Sequence, residues 1–472
     1  MKLPLIAIWF AALCQFAAAD KTIPNYAIAD LVLGKPDFTM ANSGVKSAST
    51  MYNPSAITID PITGKLFVAE ENNFRVLRFS NYQSLTDGAK AEAVFGQPDF
   101  STAVAGSGAT GFGHIRGIFF DQHGQLWVAD GGHNRVVMFE AASSRSSFPT
   151  ADRVYGQPDF TTYESGTTAT KMKNPYGVFV DTADRLWVAD SINDRVLRFD
   201  SISTKPSGAA ADGVIGQFNF LSSPSIGSGS SETRFPTDIT VSANGTLFVA
   251  SPTGNRILRF DNAANLEDGA GASAVLGQPD FFTTSAGTSA TQFDTPFGLH
   301  LTADDSLWVS DFYNNRVVCF FNASSKPTGS AADRVVGQPN FTTNISAMTN
   351  RNLDRPYMSL FVDPEGNLWV PDSYHNRVLR FPPDVTKPRL AATGPVPSKV
   401  TFSKLNIKGT ASDTYGISKV YYRIGSGEWK LARGTTSWKF TAILASGRNK
   451  ISIYAVDSVG NRSATKVCYV KR

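Results

Sequence analysis

Short apolar runs alternate with polar turns from residue 53 to residue 381, and the order of the runs repeats. Each unit opens with an entry such as NPSAITID (from Asn53), NPYGVFVD (from Asn174) or RPYMSLFVD (from Arg355). A turn leads into GKLFVAE, GQLWVAD, RLWVAD, GTLFVAS, SLWVSD or GNLWVPD. A second turn leads into FRVLRF, NRVVMF, DRVLRF, NRILRF, NRVVCF or NRVLRF. A looser polar loop then ends in GQPDF (from Gly96, Gly156 and Gly277), GQFNF (from Gly216) or GQPNF (from Gly337). The arginine after the second turn falls at Arg75, Arg135, Arg195, Arg256, Arg316 and Arg377, a period of 60 or 61 residues. The runs are short, rich in β-branched and aromatic residues, and bounded by Gly, Asp, Asn or Pro. All four segments of a unit, the GQPDF segment included, therefore read as strands.

Four consecutive strands make one antiparallel meander. Six such sheets, each apolar on both faces, bury those faces only against one another, and the closed solution is a ring. The expected fold is all-β: a six-bladed β-propeller over residues 20–381, with a second domain behind it. The sixth unit ends at Phe381 without a pentapeptide, whereas an early variant, GKPDF, stands at Gly34–Phe38. Ala29–Phe38 is expected to supply the missing strand of the last blade, leaving no open edge.

The recurrent residues are Pro near the first strand, Leu-(Trp/Phe)-Val, then Asp-x-x-Asn-x-Arg-Val. Over residues 29–381 this pattern resembles the NHL-repeat propellers. The resemblance implies the fold and leaves the function open, since such propellers include binding modules and enzymes.

After Phe381 the chain changes character. Pro382, Pro383, Pro388, Pro395 and Pro397 mark residues 382–398 as a stiff linker. KLNIKGTASD, ISKVYYRI, SWKFTAIL, KISIYAVDSVGN and TKVCYVKR read as strands of a small β-sandwich over residues 399–472. The GTASD and AVDSVGN stretches resemble bacterial immunoglobulin-like modules of cell-surface and secreted proteins.

The first residues form a separate pattern. Met1-Lys2 is basic, Leu3 to Leu13 is apolar, and Ala17-Ala18-Ala19 fits a small-residue cleavage site, so residues 1–19 read as a secretory signal cut near Ala19. An uncleaved membrane anchor is the alternative. No later stretch is apolar enough to span a bilayer. The expected location is secreted, periplasmic or cell-surface. Cys319 and Cys468 would then be the mature chain's cysteines, too few for a disulfide scaffold and read as small buried hydrophobes.

Charge is unevenly divided. The chain carries 44 Lys+Arg and 40 Asp+Glu. Of these, 14 basic and 3 acidic residues lie from Leu390 onward, leaving +11 there and −7 elsewhere. A basic tail suggests an anionic partner, and for an exported protein an envelope component fits better than nucleic acid. A tail docked on its own propeller is the alternative.

Residues present in every blade are assigned to building blades. The acidic–arginine pairs Glu70/Arg75, Asp130/Arg135, Asp190/Arg195, Asp311/Arg316 and Asp372/Arg377 belong here, with Ser251 breaking the pattern opposite Arg256. Trp127, Trp187, Trp308 and Trp369 share one position with Phe67 and Phe248, so they read as packing wedges. His133 and His375 take the turn position of Asn73, Asn193 and Asn314, which points to hydrogen bonding. His114 and His300 are one-off departures and the weak candidates for a metal; three converging ligands are not evident, and no metal or cofactor is expected. No nucleophile elbow, phosphate loop or paired-cysteine motif is present.

The positions just after the entry proline vary in charge and aromaticity: Ser55, Arg116, Tyr176, Thr237, Phe297 and Tyr357. In a meander they share a face with the turn between the second and third strands, as does Asp238. Arg116, Tyr176, Asp238, Phe297 and Tyr357 are the candidate ligand-binding residues. Aromatics that merely plug the channel are the competing reading. The expected function is binding or scaffolding of a protein, peptide or carbohydrate. The alternative is a lactonase-like or lyase-like propeller enzyme with a metal or general base in the channel.

Overall fold

The computed structural model describes residues 22–40, 45–222, 229–393 and 396–472. The proposed signal segment lies outside the described residues. The chain is all-β, with short 3-10 turns, and divides into one unit of Ile23–Pro382 and another containing Pro383–Arg472. Among the described residues, no helix is long and apolar enough to cross a membrane.

Among the described residues, the larger unit holds six four-stranded antiparallel sheets. Sheet one is Pro54–Ile59, Lys65–Glu70, Arg75–Asn81 and Ala93–Phe95. Sheets two to five repeat that order, starting at Ile115–Phe120, Pro175–Val180, Ile239–Val241 and Pro296–Leu301. Sheet six takes three strands from the end of the unit, Phe361–Val362, Leu368–Asp372 and Arg377–Phe381. Its fourth is Leu31–Leu33, with Leu31 opposite Arg380 and Leu33 opposite Val378. The early segment thus completes the last sheet, in antiparallel register.

Six apolar clusters lie between neighbouring sheets. Phe67 and Val76 of sheet one meet Ile118 and Phe139 of sheet two; further round, Trp369 and Leu31 of sheet six meet Ile57 and Leu66 of sheet one. The remaining four clusters join two to three, three to four, four to five and five to six. The series returns to its start, an all-β arrangement of the propeller type.

The pentapeptide is not itself a strand. The fourth strand ends just before its glycine, and the segment bends instead. The reason is chemical. Gly96 sits at φ +84°, proline offers no N–H to a ladder, and Asp99 Oδ1 accepts the Ser101 and Thr102 amides, both at 2.8 Å. The glutamine donates inward: Gln157 Nε2 reaches Asn134 O at 2.9 Å and Glu164 O at 2.8 Å.

The arginine tells why the segment recurs. Arg195 is fully buried; its Nε donates to Asp190 Oδ2 at 2.7 Å and its Nη1 to the Phe220 carbonyl, the last residue of the pentapeptide, at 2.7 Å. Its remaining donors reach Thr167, Thr168 and Lys171 carbonyls in the next loop. Arg135 and Arg316 repeat this, with Asp130 and Asp311, on the Phe160 and Phe341 carbonyls. Arg377, paired with Asp372, reaches the Phe38 carbonyl at 2.7 Å, so the early GKPDF is held in the same way. In sheet four Ser251 stands where the other sheets carry the acid, and burial pushes the Arg256 guanidinium down to about 10. His133 Nδ1 and His375 Nδ1 donate to the Asp130 and Asp372 carboxylates, where Asn193 and Asn314 donate to Asp190 and Asp311.

The second unit has two antiparallel sheets over one core. Arg389–Ala392, Lys404–Ser412 and Ser437–Ile443 form one; Lys430–Leu431, Ile417–Ile424, Arg448–Asp457 and Lys466–Lys471 form the other. Val420, Trp438, Phe440, Ile451 and Ile453 fill the space between. Arg389–Ala392 lies within the proline-rich stretch, so part of that stretch is a sheet strand. Strict alternation along Lys404–Ser412 buries Leu405 and Ile407 and turns Lys404 and Lys408 outward. Cys319 is buried and Cys468 half-buried; both are free.

Two outcomes are expected. Deleting Ala29–Phe38 removes six buried residues and an entire ladder, and costs several kcal/mol or abolishes folding, read by thermal and urea denaturation. Arg195→Ala strands a buried carboxylate and four carbonyls, and should cost about 3–5 kcal/mol. A variant melting like wild type would remove the arginine from its structural role.

Candidate functional site

The first strands converge at their beginnings, and this dictates small residues there. Ala56, Gly117, Gly177 and Gly298 occupy equivalent positions, filled in sheets four and six by Asp238 and Met358. A Cβ on Gly117 would stand 2.6 Å from Tyr176 O, and one on Gly298 would stand 2.0 Å from Met358 O. The neck is therefore closed by backbone, with Asp238 and Met358 as the large side chains at this position.

One residue outward, the structure gathers four of the five predicted residues. Arg116 pairs with Glu71 on the turn of sheet one, and its guanidinium lies 4.5 Å from the centre of the Tyr176 ring. Tyr176 meets Phe235 at 5.2 Å, while the Phe297 and Tyr357 rings lie tilted with centres 4.8 Å apart and both touch Phe312. Tyr176 belongs to the cluster between sheets one and two, and Phe235, Phe297 and Tyr357 pack against it. Ser55 and Thr237 also line this level but are fully buried.

Electrostatics keeps the rim's groups in fixed states. Burial opposes charge on Arg116, yet Tyr176 and Glu71 hold it above its ordinary value. Burial raises both the Tyr176 and Tyr357 phenols, so each remains a hydroxyl. Arg116 Nε is buried and has no hydrogen-bond partner among the described residues. The arrangement presents an aromatic wall, a guanidinium with one donor unsatisfied, and two neutral hydroxyls. It can hold a ligand that is apolar on one side and carries an acceptor on the other.

Asp238 faces a different environment. Its Oδ1 accepts the Ile239 amide at 2.9 Å; its Oδ2 accepts the Leu299 amide at 2.9 Å and Ser359 Oγ at 3.0 Å. It thereby ties sheets four, five and six together. It borders a cavity of about 50 Å³ lined also by Thr58, Phe119, Phe179, His300 and Phe361. Burial pushes its carboxyl up to about 7 and lowers the His300 imidazole to about 4. His114 sits apart, 3.9 Å from Glu71. Neither histidine belongs to a group of three metal-ligating side chains among the described residues.

Glu71, Phe312 and Phe235 were not singled out from the sequence. The turn position of Glu71 and Phe312 is Gly131, Ser191, Pro252 and Ser373 in the other repeats. Its usual task is to meet the next entry segment: Ser191 Oγ donates to Pro236 O at 2.5 Å and Ser373 Oγ to Pro54 O at 2.6 Å. Asking which repeat positions carry a one-off residue, applied to the turn as well as the entry, would have found both.

The raised Asp238 pKa has a signed consequence. The folded state holds this proton up to about pH 7, whereas the unfolded chain releases it near 3.8. Stability is therefore lost as pH rises between those values and is flat above. Against Asp238→Asn, which cannot ionise, wild type should lose on the order of 4 kcal/mol across that window. Denaturation at pH 4.5 and pH 8 measures it; a constant difference would show that Asp238 titrates normally.

No family model matches the chain, and no curated protein matches it. Among solved structures it is similar to the extracellular domain of a one-component system from B. thetaiotaomicron (17% identity, 95% of this chain, TM-score 0.41), and spans 58% of that structure's length. It is also similar to a gluconolactonase from Xanthomonas campestris (14% identity, 75% of this chain and 97% of that one, TM-score 0.43). A third is virginiamycin B lyase from Staphylococcus aureus with quinupristin (12% identity, 86% and 98%, TM-score 0.42). At these identities and scores the likenesses carry no functional argument.

Proposed function

We propose that residues 20–381 are a six-bladed NHL-type β-propeller whose rim binds a protein or peptide ligand, a carbohydrate being the other chemistry that fits. Residues 382–398 lead into an immunoglobulin-like sandwich over 399–472, which attaches the protein to an anionic envelope component after export and cleavage near Ala19. One observation carries the ligand assignment. Arg116, Tyr176, Phe297 and Tyr357, none required for making a blade, meet on one surface with the buried Arg116 Nε unsatisfied. A peptide supplies both an apolar side chain for the aromatic wall and a carbonyl or carboxylate for that donor. The outward lysines of Lys404–Ser412 and Ser437–Ile443 support the attachment role.

A second reading rests on Asp238. A carboxyl held near 7 beside a channel cavity suits a general base. The cavity holds a few waters at most, and both Asp238 oxygens are engaged, so binding is the better reading.

Arg116 and Glu71 neutralise each other, so they are best removed together. Glu71→Gln with Arg116→Gln should weaken a ligand found by peptide- and glycan-array screening at least tenfold, with the melting temperature shifted by only a few degrees. Unchanged affinity would place recognition elsewhere. Full-length protein should bind polygalacturonate or anionic vesicles in 0.05 M salt and release them in about 0.5 M. Lys404→Glu with Lys408→Glu and Lys439→Glu should reproduce that loss; salt-insensitive binding would sink the attachment role.

A further inference from the structure

The basic C-terminal unit contains a cluster of opposite sign. Asp384, Asp413 and Asp457 each bring a carboxylate oxygen within 4.8 Å of the others. Two of these are among the unit's three acids from Leu390 onward, where 14 basic residues were available as partners. Yet none of the three forms a salt bridge among the described residues.

Each carboxylate is aimed by a turn. Asp384 Oδ1 accepts the Thr386 amide at 2.9 Å and its hydroxyl at 2.5 Å, while the Asp384 carbonyl accepts Asn461 Nδ2 at 2.8 Å. Asp457 Oδ1 accepts the amides of Val459, Gly460 and Asn461 at 2.8–3.0 Å. Asp413 Oδ1 accepts the Tyr415 amide at 2.9 Å. Their Oδ1 atoms are thus committed locally. The Oδ2 atoms of Asp384 and Asp457 are buried without any hydrogen-bond partner among the described residues, in side chains whose residues are only 4% and 1% exposed.

Two buried carboxylates with unpaired oxygens, and a third beside them, repel one another and have lost hydration; a cation removes both penalties. The donor set is all oxygen, with no histidine or thiolate, which suits a hard ion. Bonds of about 2.3–2.6 Å place opposite ligands roughly 4.6–5.2 Å apart, matching the observed spread. We propose that Asp384, Asp413 and Asp457 bind one Ca²⁺, with waters completing its shell. The ion would fasten the segment at Asp384 to the ends of the strands Lys404–Ser412, which Asp413 follows, and Arg448–Asp457, which Asp457 ends.

The test uses the full-length chain after chelation. Calorimetric titration with CaCl₂ should give one ion per chain, Tb³⁺ should bind competitively with sensitised luminescence, and the melting temperature should rise with added Ca²⁺. Asp384→Asn and Asp413→Asn should each weaken binding at least tenfold. Asp413 is half-buried and asparagine keeps its turn acceptor, so this variant should fold even if Asp384→Asn does not; circular dichroism checks both. Absence of Ca²⁺ and Tb³⁺ binding, unchanged affinity in Asp413→Asn, or binding of Mg²⁺ in preference to Ca²⁺ would overturn the assignment.

Discussion

The larger unit depends on a buried guanidinium used six times. Burying a charge this deeply is costly unless its donors are met, and at Arg195 all five are met by groups from different stretches of chain. Arg195 joins the acid of its own hairpin, the carbonyl closing its own sheet, and the loop leading to the next sheet. No local pairing could satisfy all five donors. The interaction therefore specifies how a sheet, its exit and the following entry lie together. The sheets supply the apolar surface that makes association favourable, and the arginines decide its geometry.

Against that regularity, departures acquire meaning. Where the repeat uses glycine or serine, Glu71 and Phe312 project side chains toward the neighbouring entry; where it uses glycine or alanine, Asp238 and Met358 occupy the neck. The serine contact made in sheets three and six gives way at Glu71 to an ion pair with Arg116 and at Phe312 to ring contacts with Phe297 and Tyr357. The neck residues differ in kind. Asp238 is fully hydrogen-bonded and links three sheets, so its perturbed acidity is a by-product of joining them.

Much of this was legible because repetition supplies its own control. The strand order, the acid–arginine pairs, the histidines standing in for asparagine and the completion of sheet six by an early strand are all written in spacing. The pentapeptide misled because its aromatic and apolar ends look like strand, while its glycine and proline forbid a ladder. Asp238 was grouped with Arg116 because both follow the entry, but one step along a strand turns a side chain to the other face. The Asp384, Asp413 and Asp457 cluster was illegible for a different reason. Its members are 29 and 44 residues apart and each resembles an ordinary turn cap. Only folding brings the three carboxylates together.

The joining of Leu31–Leu33 to Arg377–Phe381 has a kinetic side. The ladder spans about 350 residues of chain, so pairing its ends costs about 5 kcal/mol of loop-closure entropy if nothing has formed between them. Stacking the intermediate sheets first shortens that effective loop, which makes closure a late step. Until then the outer edge of Arg377–Phe381 stays unpaired and able to capture a strand from another molecule. After closure the same ladder acts as a latch: fraying from either end of the unit must first break it, and slow unfolding follows from topology more than from the strength of any one contact.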